Sequence, residues 1–459
     1  MQVKAQPQGG GGRADYRVGM FSRLGGPSAA LVLLACMALL LPAAGPALGQ
    51  ESVTAPTGPP LGGVNIGGLG YESKPSEADH ATKLAHQLGA KVVRVELPWS
   101  AMEPRAQNSI SPAALAYTDR LMADAAADGM TVILMVRSTP CWASSAPASL
   151  LKKCSPIRET AANSWPPREP AVYGSFMAFL AKRYGTRLAA LEVWNEPDQA
   201  NQGFFAGPEK PAHYAALLRA AFPAIKQANP SVTVLGGSIV GSNGLFLKAL
   251  YAAGIKGYYD GLAVHFYTLT VAAIRSIREV QVANGDTKPL WLDEFGWSSC
   301  LPKHQTQAEQ PCVTPKLQAA NIANVFRTLA HVPYVAAEVL YELSDSRDEE
   351  FGLYTARGAR KPSFAALAAV LRSPFGALTP VVLKLRGRGG RLVASGSAPV
   401  GDFMELEAFQ GSTLRYRALF VLNRFNAYSI ALPKVLGTSG LRVRVFQYGA
   451  PEKAAQSSI

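Results

Sequence analysis

Two glutamates, each closing a short apolar run, are the residues of this chain best placed to do chemistry. Glu196 ends Leu191-Glu192-Val193-Trp194-Asn195 and is followed by Pro197. Glu294 ends Pro289-Leu290-Trp291-Leu292-Asp293 and is followed by Phe295-Gly296-Trp297. Leu191 to Trp194 reads as a strand, and proline, which cannot donate to a ladder, stops it. Each carboxylate therefore stands where a buried strand opens onto a loop. A lone glutamate in such a place is ordinarily a cap or half of a salt bridge. A pair on separate strands is the minimum equipment for glycosidic cleavage: one carboxyl protonates the leaving oxygen, the other attacks the anomeric carbon or activates water. Asn195 is suited to holding a substrate hydroxyl and Trp194 to walling the site. Strand alternation puts Asp293 and Glu294 on opposite faces. Glu294, later in the strand and beside Gly296, is the one expected in the mouth. Asp293 is left as a buried, hydrogen-bonded support or a wall residue.

The elements that must position this pair alternate regularly. Strands are predicted at 62–67, 91–97, 131–136, 191–194, 232–237, 259–267, 289–294 and 335–343, and helices at 77–88, 112–128, 171–184, 211–229, 244–254, 317–329 and 361–371. Eight strands alternating with helices give an α/β chain folded as a (β/α)8 TIM barrel, whose chemistry sits at the C-terminal ends of the strands. In the second strand Arg94 lies inside a β-branched run and needs an anionic partner, structural or catalytic. In the sixth, His265 and Tyr267 share a face. Trp99 and Trp142 follow the second and third strands. Trp142 offers a flat face for a sugar ring or packs beside Cys141. The long segment from Ser144 to Glu169 and the insertion from Ser298 to Pro315 are expected to wall a cleft.

Trp194-Asn195-Glu196-Pro197, followed about a hundred residues later by Asp293-Glu294-Phe295-Gly296-Trp297, resembles the clan of retaining (β/α)8 glycosidases. Within it the chain is most similar to glycoside hydrolase family 39 and relatives encoded with bacterial exopolysaccharide machinery. Ser138 to Ala143 shares the likeness, which spans roughly Gly62 to Leu371. It implies Glu196 as acid/base, Glu294 as nucleophile, Tyr267 touching the nucleophile, His265 binding substrate, and Arg94 keeping the nucleophile ionised. Substrate contacts are also expected from Asn195, Trp99, Trp142 and Trp297, and from Tyr341 in the eighth strand, where the clan often has tryptophan. No metal and no organic cofactor are expected.

Residues 1–49 are expected to be a signal peptide or an N-terminal anchor. The apolar run Ala29–Leu41 is 13 residues long, short for a membrane span, and Ala47-Leu48-Gly49 offers a small-residue cleavage site; a start at Met20 would shorten the leader. Residues 50–61 read as a linker, 62–373 as the catalytic barrel, 374–450 as a β-rich sandwich-like module and 451–459 as a tail. Of the 5 cysteines, Cys36 lies in the leader, and local loop closure pairs Cys141 with Cys154 and Cys300 with Cys312 in an oxidising compartment. Neither pair has zinc-ligand spacing. The formal net charge is +13; the leader's four cations and one anion account for +3, leaving +10 beyond it. That balance favours an acidic polysaccharide or an anionic membrane surface, and export rules out nucleic acid. The sequence thus describes an exported monomer, periplasmic, extracellular or anchored at the inner membrane, that is a retaining endo-acting glycosidase on an exopolysaccharide. An exo-acting β-xylosidase-like enzyme and a non-catalytic polysaccharide-binding barrel are the alternatives.

Overall fold

The structure, a computed structural model, describes residues 58–458 apart from 72, 241–243, 268–270, 300–311, 347–348, 376–379, 389–390, 399–402, 423–425, 438 and 448–453. Strands and helices alternate as β1 (Leu61–Gly68), α1 (Pro75–Leu88), β2 (Val92–Pro98), α2 (Trp99–Met102), α3 (Pro112–Ala127), β3 (Thr131–Arg137), α4 (Ala148–Leu151), α5 (Pro170–Tyr184), β4 (Leu188–Val193), α6 (Lys210–Ala228), β5 (Val234–Ile239), α7 (Leu245–Ala252), β6 (Gly261–His265), α8 (Val271–Ala283), β7 (Leu290–Phe295), α9 (Pro315–Leu329), β8 (Val335–Leu340) and α10 (Pro362–Arg372). The eight strands close a barrel in sequence order, β8 pairing back onto β1, every pair parallel. This is the expected TIM barrel. Three helices were not expected: α8, and the single turns α2 and α4 in segments read as loops. Proline opens α1, α3, α5, α9 and α10, where its missing N–H leaves no helical bond unmade.

Inside the barrel the side chains form layers. Val92, Ile133, Ala190, Leu235, Ala263, Trp291, Ala337 and Val339 make an apolar floor. Two residues further along four of these strands stand Arg94, Glu192, His265 and Asp293, all buried. The catalytic candidates lie above them.

Two irregularities re-aim side chains into this polar layer. Ala263 pairs with Trp291 but His265 pairs with Glu294, so β7 spends one residue more than β6 over the same span. Such a bulge breaks the period of two. Asp293 and Glu294 consequently both reach Arg94, which corrects the expectation that they lie on opposite faces. On β5 the register slips between Gly237 and Ile239. Ser238, with φ of 47°, turns inward and donates to Glu192.

Between the floor residues Ala337 and Val339, Glu338 points outward toward the helices. It is buried, one carboxylate oxygen has no partner, and burial drives its carboxyl well above its ordinary value of 4.5. A buried acid whose pKa is raised penalises the fold progressively as the pH climbs above the unfolded value. Glu338→Leu is therefore expected to stabilise the protein at pH 7 by about 1–3 kcal/mol, with a smaller gain near pH 4. Urea denaturation at the two pH values measures this; an unchanged or lower midpoint at pH 7 would refute it.

After α10 the chain turns to antiparallel sheet: β9 (Val382–Arg388), β10 (Arg391–Ser397), β11 (Phe403–Gln410), β12 (Thr413–Val421), β13 (Ala427–Ala431), β14 (Leu441–Gln447) and β15 (Ala455–Ser458). They form a three-stranded sheet, β13-β10-β9, and a four-stranded one, β12-β11-β14-β15. A separate core joins the two, with Ala394 and Tyr428 from one and Met404, Leu406, Val443 and Val445 from the other, as in a sandwich. The expected tail instead contributes β15, which pairs with β14. Asn426 ties the module to α9 through a 2.8 Å hydrogen bond to Asn321.

Candidate active site

The polar layer is organised by one guanidinium. Arg94 leaves the middle of β2, where alternation points it inward, and its five N–H groups each find an acceptor. Two go to Glu192 at 2.7 and 2.8 Å, one to Asn65 at 3.0 Å, one to Asn195 at 2.8 Å and one to Glu294 at 2.9 Å. Asn65 in turn donates to the backbone of Asp293 at 3.0 Å and of Leu340 at 3.2 Å, fastening β1 to β7 and β8. Glu192 and Asn65 are the parts of this network that sequence reasoning missed. The period of two from the floor residue Ala190 to Glu192 was the available signal, but a glutamate in an apolar strand has no motif of its own.

Glu294 is held from both sides, by Arg94 on one oxygen and by the Tyr267 hydroxyl, which donates to the other. Glu196 takes a 3.1 Å hydrogen bond from Gln199 and meets Nδ1 of His265 at 2.9 Å. His265 lies between the two glutamates, its Nδ1 3.7 Å from Glu294. Carboxylate oxygens of Glu196 and Glu294 and a ring nitrogen of His265 all fall within 4.8 Å of one another. Burial alone would lower the His265 pKa. The Glu294 charge and then the Glu196 hydrogen bond lead the opposing contributions and push it up to about 9, so the ring is an imidazolium at neutral pH.

Asn195 presents its oxygen to Arg94 and so is fixed beside Glu196. Tyr341 at the end of β8 packs edge-on against Tyr267 and Phe351, with ring centroids 6.1 and 5.7 Å away, and donates to Glu349 at 2.6 Å. Beside it burial, with Glu349, Asp345 and Glu294, raises the Glu342 carboxyl to about 8. Phe351 and Glu349 were not anticipated, because they follow β8 in a stretch without periodicity.

The tryptophans divide. Trp99 is wholly buried against Trp142, Tyr173 and Phe176, its indole N–H bonded to Glu103; it has no face to offer a sugar, which corrects the expectation for it. Trp194 is buried likewise, bonded to the Phe204 carbonyl and packed on Phe205, so it supports the site from within the core. Trp142 and Trp297 are half-buried. Trp142 hangs from the Glu103 carbonyl at 2.8 Å, and Trp297 packs on Phe295.

The loop after β3 is closed by the Cys141–Cys154 disulfide, with Cα atoms 5.7 Å apart. Cys312 is also disulfide-bonded, and its expected partner Cys300 lies outside the described residues. Two overlapping triplets, Glu192–His265–Asp293 and Glu196–His265–Glu294, are close enough to ligate an ion. Arg94 already sits on Glu192, Asp293 and Glu294 and supplies positive charge there.

An eight-stranded parallel barrel with facing glutamates at the C-terminal ends of β4 and β7 defines a retaining (β/α)8 glycoside hydrolase. Residues 55–324 match the model of the family "Cellulase (glycosyl hydrolase family 5)", and the chain belongs to that family. Family 5 is of the same clan as the family 39 enzymes its motifs resemble. The fold is similar to that of a monomeric β-xylosidase from Caulobacter crescentus CB15, at 15% identity over 88% of this chain and 98% of that one, TM-score 0.51. It is likewise similar to a GH30 endoxylanase from Clostridium papyrosolvens C71, at 13% identity over 86% and 97%, TM-score 0.51. A GH39 β-xylosidase from Caulobacter crescentus is 19% identical over 78% and 84%, TM-score 0.49. No curated protein sequence matches.

Proposed function

We propose that the protein is an exported, endo-acting retaining glycosidase of a bacterial exopolysaccharide, with Glu294 as nucleophile and Glu196 as acid/base. The observation that carries the role assignment is the asymmetry of the pair. Glu294 accepts from Arg94 and Tyr267, contacts that hold an anion in place for attack. Glu196 has neither of these partners; it is met by the Gln199 amide and the His265 ring. In the first half-reaction Glu196 protonates the glycosidic oxygen while a Glu294 oxygen bonds to the anomeric carbon and the aglycone departs. In the second, Glu196 takes a proton from water, which displaces Glu294. The oxygens within 4.8 Å suit the short carboxyl spacing of about 5–5.5 Å that retaining enzymes use.

Endo action is supported by the long disulfide-closed loop beside the mouth, and export by the disulfide itself together with the sequence of the leader. Among the described residues no helix is long and apolar enough to cross a membrane. The cations that favour a polyanion, such as Lys384, Arg386, Arg391 and Arg442, lie in the sandwich module, whereas Glu342, Asp345 and Glu349 follow β8 beside the mouth. An acidic polymer is therefore engaged through the module.

Glu196→Ala is expected to lower turnover of polysaccharide by about 10²–10⁴, and azide to restore turnover with a glycosyl azide of the substrate's own anomeric configuration. An azide of inverted configuration would exchange the two roles. Product sizing on neutral and acidic exopolysaccharides tests the rest: oligosaccharides support endo action, monosaccharides the exo alternative. Binding without cleavage by either wild type or a Glu294 variant would support the binding-barrel alternative.

A further inference from the structure

The polar layer holds one carboxyl more than its donors serve. Arg94 has five N–H groups, all committed to Glu192, Asn65, Asn195 and Glu294. Asp293, fully buried on the flank of the same guanidinium, receives none. Its Oδ2 is 3.5 Å from Arg94 Nε, and neither of its oxygens has a hydrogen-bond partner among the described residues. His265 Nε2, also without a partner, is 3.7 Å from Asp293 Oδ1. Glu192 is close alongside: its carboxylate, that of Asp293 and the His265 ring all approach within 4.8 Å. An ionised carboxylate without a donor is among the least favourable occupants of a protein interior. A protonated one beside another carboxylate is its own donor and forms a short, charge-assisted bond.

We propose that Asp293 is held as a neutral carboxylic acid that donates its proton to the Glu192 carboxylate, and that it is a positioning residue: it braces Glu192 without drawing on Arg94, so that a guanidinium N–H remains for Glu294. The electrostatics agree. Burial and then the Glu192 charge drive the Asp293 carboxyl well above its ordinary range, against the opposing charges of Arg94 and His265. Glu192, although burial pushes it up, is held below its ordinary value by Arg94. The bulge in β7 has a function in this reading, since it brings the acid to the inner face together with the nucleophile. The proposal rests on Glu294 being the nucleophile for its catalytic consequence, but not for the protonation of Asp293.

Two measurements test it. Infrared difference spectra at pH 7 between wild type and Asp293→Asn should contain the carbonyl stretch of a protonated acid in the wild type alone. Should the variant not fold, carbon-13 carboxyl labelling of aspartate in the wild type gives the same answer, as one resonance that stays protonated at pH 7. Absence of the protonated species overturns the proposal whatever Glu294 does. In kinetics, Asp293→Ala should lower kcat/KM by roughly 100-fold through misplacement of the nucleophile. Asp293→Asn, a neutral donor of nearly the same shape, should recover at least about tenfold of that loss, with the acidic limb of the pH profile in its wild-type place. If Asp293 is instead ionised, Asp293→Asn removes a negative charge near Glu294 and the acidic limb moves to lower pH, which refutes the proposal. Full activity in Glu294→Gln, by contrast, would overturn the nucleophile assignment and leave the spectroscopic result standing by itself.

Discussion

Glu294→Gln is expected to lower kcat/KM by roughly 10⁴–10⁶, more than any other single substitution at this site. The amide keeps the shape of the side chain and its place beside Arg94 and Tyr267, but it cannot form the glycosyl ester, so the double displacement has no first step. A second, independent readout follows from the charge that is lost. Glu294 makes the largest upward contribution to the His265 pKa, against burial, and holds it at about 9. Without that charge the imidazole must titrate at lower pH, which carbon-bound proton resonances of the ring would report directly. The linkage has a definite sign. A histidine raised from 6.5 to about 9 stabilises the fold fully below pH 6.5, and that contribution is lost as the pH rises through 9. In Glu294→Gln the loss should set in earlier. Retention of a tenth or more of wild-type activity would sink the nucleophile assignment. An unchanged His265 titration would sink the electrostatic account of the site while leaving the chemistry in place.

The parts of this site that could be read from the chain are those whose signal is local. Glu196 and Glu294 stand in short motifs bounded by proline and glycine, and Arg94, His265 and Tyr267 reach the site by the plain alternation of their strands. The barrel itself follows from the repeated exchange of strand and helix periodicity, which survives even where boundaries move by a few residues. What escaped was set by tertiary registration. The β7 bulge is visible only against β6, so alternation misdirected Asp293. Ser238 turns inward through a left-handed backbone angle that nothing in Gly236-Gly237-Ser238-Ile239 demands of serine. Glu192 looks like an isolated acid in a strand until Arg94 is brought across the barrel to meet it. Trp99 was expected among the substrate contacts because it follows a barrel strand at the face where the chemistry sits. The short helix α2 instead carries it beneath Trp142 and Tyr173. Ala455–Ser458 lacks the apolar alternation of a strand because β15 is an edge, and it needs only the backbone of β14 for its hydrogen bonds.

Arg94→Met should destabilise the protein by about 3–5 kcal/mol, a loss that exceeds what removing the methylene packing of one side chain would cause. Arg94 is 3% exposed, and its guanidinium faces Glu192, Asp293 and Glu294. Its removal strands Glu192, itself 0% exposed, between the Ser238 hydroxyl and the Asp293 acid, neutral donors that do not balance its charge. Most of the loss is therefore the penalty of a buried charge left behind, not the worth of the ion pair. That distinction is measurable. Arg94→Met combined with Glu192→Met takes away the stranded charge as well, so the double variant should be more stable than Arg94→Met alone, with a coupling of about 1–3 kcal/mol in a double-mutant cycle. Neither variant should be active, since Glu294 loses its anchor in both. Arg94→Lys separates charge from geometry: an ammonium has three donors at one point and cannot span five acceptors spread over β1, β4 and β7. It should keep more of the stability than Arg94→Met and still lose roughly 100-fold in kcat/KM. Urea denaturation of the four proteins of the cycle, with initial rates for Arg94→Lys, decides the matter. If Arg94→Met lies within about 1 kcal/mol of wild type, or if adding Glu192→Met makes it less stable still, then the buried layer is not held together by this guanidinium.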